Sequence, residues 1–99
     1  MSEGERDAGE SRPVDLTAFE LEQLLGLFLG VLAAKAWQYM GLRLAPGKEE
    51  AEKDLVKAAS AIDCVSFMVD RLAPSLPEGE AVSLRAMVSD LQINYARQS

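Results

Sequence analysis

The sequence predicts an all-α fold, a three-helix antiparallel hairpin bundle. Three observations predict it. A capping pattern opens the first apolar segment, apolar residues recur at steps of three and four through the second, and proline or glycine turns separate the segments while no alternating β-formers compete. With 99 residues the chain is one domain at most, and so small a core leaves room for stabilisation by a partner subunit.

The opening MSEGERDAGESRP has no apolar core and is no secretory signal. Its mixed charges, glycine and serine predict a disordered acidic arm over residues 1–14. A single helical domain is expected over residues 15–97, with helices at about 17–43, 48–73 and 76–97. In LTAFEL, Thr17 and Glu20 are spaced for a capping box, and Leu16 and Leu21 for a hydrophobic staple. The turn APG, Ala45 to Gly47, closes this helix.

The second helix is expected to open in KEEAEKD, where early glutamates suit the positive end of the helix dipole and Glu49 stands four residues before Lys53. Leu55, Ala58, Ile62, Val65, Val69 and Leu72 form its seam, widened by Ala61, Cys64 and Met68. Pro74 ends it. SLPE, Ser75 to Glu78, offers a second capping box, and Leu84, Met87, Val88, Leu91 and Tyr95 make the buried stripe of the third helix.

The segment LLGLFLGVLAA, Leu24 to Ala34, has no polar side chain although the net charge is −6. A membrane-crossing helix needs about 20 apolar residues, and Lys35 would sit inside any longer span at a cost of about 2.5–3.5 kcal/mol, so a transmembrane role is disfavoured. Three turns apolar on all sides must be covered on all sides, which two more helices of one chain do not easily achieve. Gly26, Gly30 and Ala34 lie four apart and would let another helix backbone approach closely. Either a helix of the same chain fills that groove, or a second copy does. The expected interface on the second reading is Gly26, Leu27, Gly30, Val31, Ala34 and Trp37, with Leu25, Phe28, Leu29 and Leu32 divided between core and interface. Lying flat on lipid is disfavoured because the helix lacks a basic face.

Other sites are thin. Asp63 follows a seam position and wants a partner; Lys35, the lone charge of the apolar helix, is the candidate, and such a pair would fix helix register. Without histidine and with one cysteine, Cys64, the chain offers no zinc site, no disulfide framework and no activated nucleophile, so no cofactor and no catalytic residue are assigned. The acidic excess repels phosphate backbones and anionic headgroups, which disfavours nucleic acid.

In its motifs the chain resembles a bacterial family known as domain of unknown function eighteen forty-four. The resemblance lies in the AxKAxxxxG pattern from Ala33 to Gly41, the turn at Pro46, AIDCVSFMVDRLAPSL from Ala61 to Leu76, and DLQINY from Asp90 to Tyr95. Gln92 and Asn94 depart from it, standing where family members often carry basic residues. The resemblance implies a small helical cytoplasmic protein of no assigned activity and carries over no catalytic residue. The expected function is therefore non-enzymatic: a cytoplasmic homo-oligomer, a dimer or higher, acting as an interaction or accessory module for an unidentified protein. A peripheral membrane protein using its first helix, or a binder of an apolar small molecule, is the alternative.

Overall fold

The structure, a computed structural model, describes residues 15–99; the arm expected over residues 1–14 lies outside the described residues. Three helices pack together: α1 (Leu21–Tyr39), α2 (Leu55–Leu72) and α3 (Glu78–Gln98). Short 3-10 turns at Leu16–Ala18 and Ala73–Ser75 precede α1 and follow α2. The helix α2 is the shared partner. Most of α1 packs along it, α3 packs on it as well, and α1 and α3 touch each other only slightly.

The core follows from this arrangement. Ala58, Ala61, Ile62, Val65, Val69 and Leu72 of α2 are buried against Leu29, Ala33, Ala36 and Met40 on one side and Val88 and Leu91 on the other. The expected seam of α2 is thus in place, except that Leu55 is half-buried, and Ala61 joins it. Leu84, Met87 and Tyr95 pack at the rim.

All three helix starts differ from expectation, each for a local reason. Thr17 does not cap α1, because its hydroxyl donates to Asp15 Oδ1 at 2.6 Å and its N–H to the same oxygen at 3.0 Å, which stabilises the 3-10 turn instead. Phe19 and Glu20 are extended, and α1 begins at Leu21 with the Glu20 N–H donating to Gln23 Oε1 at 2.9 Å. Leu16 and Leu21 are both exposed, so no staple forms between them.

At its other end α1 stops at Tyr39, earlier than residue 43, because Gly41 takes a left-handed conformation with φ of 79°. The Leu42 N–H then donates to the Trp37 carbonyl at 3.1 Å and the Gly41 N–H to Gln38 at 3.0 Å, a Schellman closure. KEEAEKD lies before α2 rather than in its first turn. Asp54 is the reason: its N–H donates to the Tyr39 carbonyl at 2.7 Å, its carboxylate accepts the Lys57 N–H at 3.1 Å, and a Met40–Lys53 bridge holds the preceding strand-like contact. Lys48 approaches Glu52 at 4.0 Å, in place of the expected Glu49–Lys53 pair. The helix α3 opens at Glu78 behind Pro77, whose carbonyl accepts the N–H groups of Glu80 and Ala81; Ser75 is held in the 3-10 turn and does not cap it.

Candidate functional site

The 19 residues of α1 divide into two faces. Leu29, Ala33, Ala36 and Met40 project into the core, and Leu25 and Leu32 pack at its edge. On the opposite side, at steps of three and four, run Leu24, Leu27, Val31 and Ala34, of which Leu24 and Ala34 are half-buried. Leu27 is 43% exposed and Val31 54%, with Phe28 beside them at 39%. An apolar stripe of this length would be costly to leave in water.

Among the described residues nothing packs closely on the glycines of α1. A Cβ built at Gly26 or at Gly30 meets nothing within 4 Å, so neither α2 nor α3 fills the groove. Ala34 is half-buried. Trp37 is half-buried as well and packs against the core, which places it at the border between the two faces.

The structure does not join Lys35 to Asp63. The Lys35 ammonium lies 4.8 Å from the centroid of the Tyr39 ring, which Lys57 of α2 also approaches at 5.8 Å, while Asp63 is exposed. An aromatic face attracts a cation and lets the aliphatic stem stay on apolar surface, so Lys35 is accommodated within its own helix. Cys64, expected to pack as a small apolar residue, is exposed instead. It sits one position after Asp63, on the side of α2 turned away from both neighbours. Asn94 folds back along α3, its amide donating to the Asp90 carbonyl at 2.9 Å.

A second feature was not legible from the sequence. Where α1 and α3 part company, an open cleft of about 1060 Å³ lies over the C-terminal end of α2. Its walls are Leu27 of α1, Leu72 and Leu76 beneath, and Leu84 of α3, with Glu22 and Glu80 at the rim. Gly26 and Gly79 also line it. The apolar residues were each visible in the sequence; their convergence depends on how far α3 swings from α1. Among the described residues no group of three histidine, cysteine, aspartate or glutamate side chains is placed to hold a metal. No helix of the described residues is long and apolar enough to cross a membrane.

These features define a class: a small all-α protein of three packed helices in which one helix keeps large apolar side chains exposed. The chain belongs to the family described as Domain of unknown function (DUF1844), whose model matches residues 24–97 and so spans all three helices. No curated protein and no solved structure matches the chain.

Proposed function

We propose that this protein is a non-catalytic, homo-oligomeric interaction module that assembles through the outer face of α1. The observation that supports this reading is the exposure of the large apolar side chains Leu27, Phe28 and Val31 on the outer side of α1, flanked by half-buried Leu24 and Ala34. Burial of such a stripe against a second copy would give an apolar, obligate type of interface. The assembled protein would then present acidic helix surfaces to another protein as an accessory subunit in the cytoplasm.

The test is the absolute mass of detergent-free protein, measured by light scattering across a range of concentrations. A discrete multiple of the chain mass supports the reading. A stable monomer at high concentration overturns it.

The cleft favours a second reading. An open apolar volume of about 1060 Å³ with carboxylates at its rim suits an apolar or amphiphilic small molecule. Native mass spectrometry of freshly purified protein would detect a retained ligand as added mass lost on mild activation.

A further inference from the structure

The open cleft between α1 and α3 has walls of two kinds, acidic where the helices start and apolar further along them. Resting on the reading of that cleft as a small-molecule site, we propose that it takes a single-chain amphiphile with a cationic head, the head held between Glu22 and Glu80 and the chain lying between Leu27 and Leu84 over Leu72 and Leu76.

The helix starts polarise the cleft. Both α1 and α3 begin beside it, with Glu22 in the first turn of one and Glu80 in the first turn of the other. Leu27 and Leu84 follow these glutamates along their own helices, and at a rise of about 1.5 Å per residue they stand roughly 6–8 Å deeper. The floor beneath them, Leu72 and Leu76, is apolar as well. A ligand that satisfies both parts carries charge at one end and an apolar chain at the other.

The sign of that charge follows from what lines the cleft. No lysine or arginine is among its lining residues. Arg71, next to Leu72 in the chain, holds its guanidinium 5.0 Å from the centroid of the Phe67 ring. Helix starts attract anions through roughly half a positive charge each. Here Glu20 and Glu22 at the start of α1, and Glu78 and Glu80 at the start of α3, place full negative charges on the same turns. The sum favours a cation, and a fatty carboxylate with the same tail meets the wrong sign.

The same charges disfavour occupants from the protein itself. Residues 1–14 hold four acidic residues against two arginines, and no leucine, isoleucine or phenylalanine to fill an apolar floor. A second copy brings a net charge of −6.

Isothermal titration of the full-length protein with decylammonium, decanoate and decanol, each below its aggregation threshold, varies the head at constant tail. Amide NMR shifts at Gly26 and Gly79 locate the binding. Decylammonium is expected to bind about three- to tenfold tighter than decanol, the range that two exposed carboxylates supply, and decanoate more weakly than either. Glu22→Gln combined with Glu80→Gln should bring decylammonium down to the level of decanol. Glu49→Gln combined with Glu50→Gln, an equal change of net charge outside the cleft, should leave it unchanged. Equal weakening by both pairs, or decanol as tight as decylammonium, would overturn the cationic head while leaving the small-molecule reading standing. Decylammonium binding that fades as protein concentration rises would give the cleft to a second copy and overturn the proposal. Failure of all three probes to shift Gly26 and Gly79 would overturn the small-molecule reading of the cleft, and the proposal with it.

Discussion

The helices α1 and α2 are similar in length and both apolar, yet they meet different fates. In α2 the buried apolar residues keep to the sides that face α1 and α3, polar or charged residues such as Asp63, Asp70 and Arg71 take most of the remainder, and Val56 and Phe67 stand exposed, Phe67 beside the Arg71 guanidinium. The same chain buries the seam of α2 from Ala58 to Leu72. In α1 apolar residues surround the helix through three turns, but the fold supplies one neighbour, so Leu27, Phe28 and Val31 stay in water. The contrast teaches that a helix apolar on all sides encodes more burial than the described helices deliver, whereas a helix apolar along a seam is buried along that seam.

The comparison breaks most visibly when one side chain is removed from each helix. Ile62→Ala empties a buried position of α2 and is expected to cost about 2–5 kcal/mol of folding stability. Val31→Ala removes exposed atoms and is expected to change the stability of the isolated protomer by less than about 0.5 kcal/mol. Urea unfolding monitored by circular dichroism, repeated at low and high protein concentration, measures both. If Val31→Ala costs as much as Ile62→Ala at a concentration where the protein is monomeric, the outer face of α1 is core after all.

Gly30→Leu sharpens the same point from the other side. Nothing within 4 Å obstructs a Cβ at this position, and glycine inside a helix is about 1 kcal/mol worse than alanine, so the protomer should fold at least as well. At a close-packed helix crossing, by contrast, a leucine is expected to weaken association by roughly 2 kcal/mol or more. Light scattering and helix content together check it: a dispersed, fully helical monomer is the expected product. An unchanged oligomer would remove Gly30 from the interface.

The sequence made the helix count and the core of α2 readable because its periodicity is strict from Ala58 to Leu72. It also made the surplus on α1 readable, since Leu24 to Ala34 is apolar through three turns. The helix starts were not readable. Thr17 and Glu20 form a proper capping pattern, and only the competing hydrogen bonds to Asp15 divert Thr17 from it. KEEAEKD has helical composition throughout, yet the bridge from Lys53 to Met40, which depends on where α1 stops, and the cap at Asp54 keep it out of the helix. The cleft was illegible for a related reason: no local pattern encodes the distance between α1 and α3.

The start of α2 offers a smaller test. Asp54 receives the Lys57 N–H and links α2 to the end of α1 through Tyr39. Asp54→Ala is expected to cost about 1 kcal/mol, because the first turn loses its side-chain acceptor, and Asp54→Asn, a comparable cap, should recover most of it. Equal losses for both variants would mean that the carboxylate charge, rather than the cap, supports this end.

The start of α1 should respond more weakly still, and in a pH-dependent way. The hydroxyl and N–H of Thr17 both donate to the Asp15 carboxylate, which holds its pKa below the usual aspartate value. A carboxylate whose folded pKa is depressed contributes its stabilisation fully above the unfolded pKa and loses it as pH falls through the folded one. The 3-10 turn at Leu16–Ala18 should therefore loosen only in strongly acidic solution, while α2, buried along its seam, keeps its amide protection there. Because Asp15 is fully exposed, the effect stays local. An NMR titration that follows the Asp15 carboxyl and the Thr17 amide should give one midpoint below that of an unstructured aspartate. A midpoint at the unstructured value would mean that the turn does not hold in solution, and that the entry into α1 is set by Glu20 and Gln23 alone.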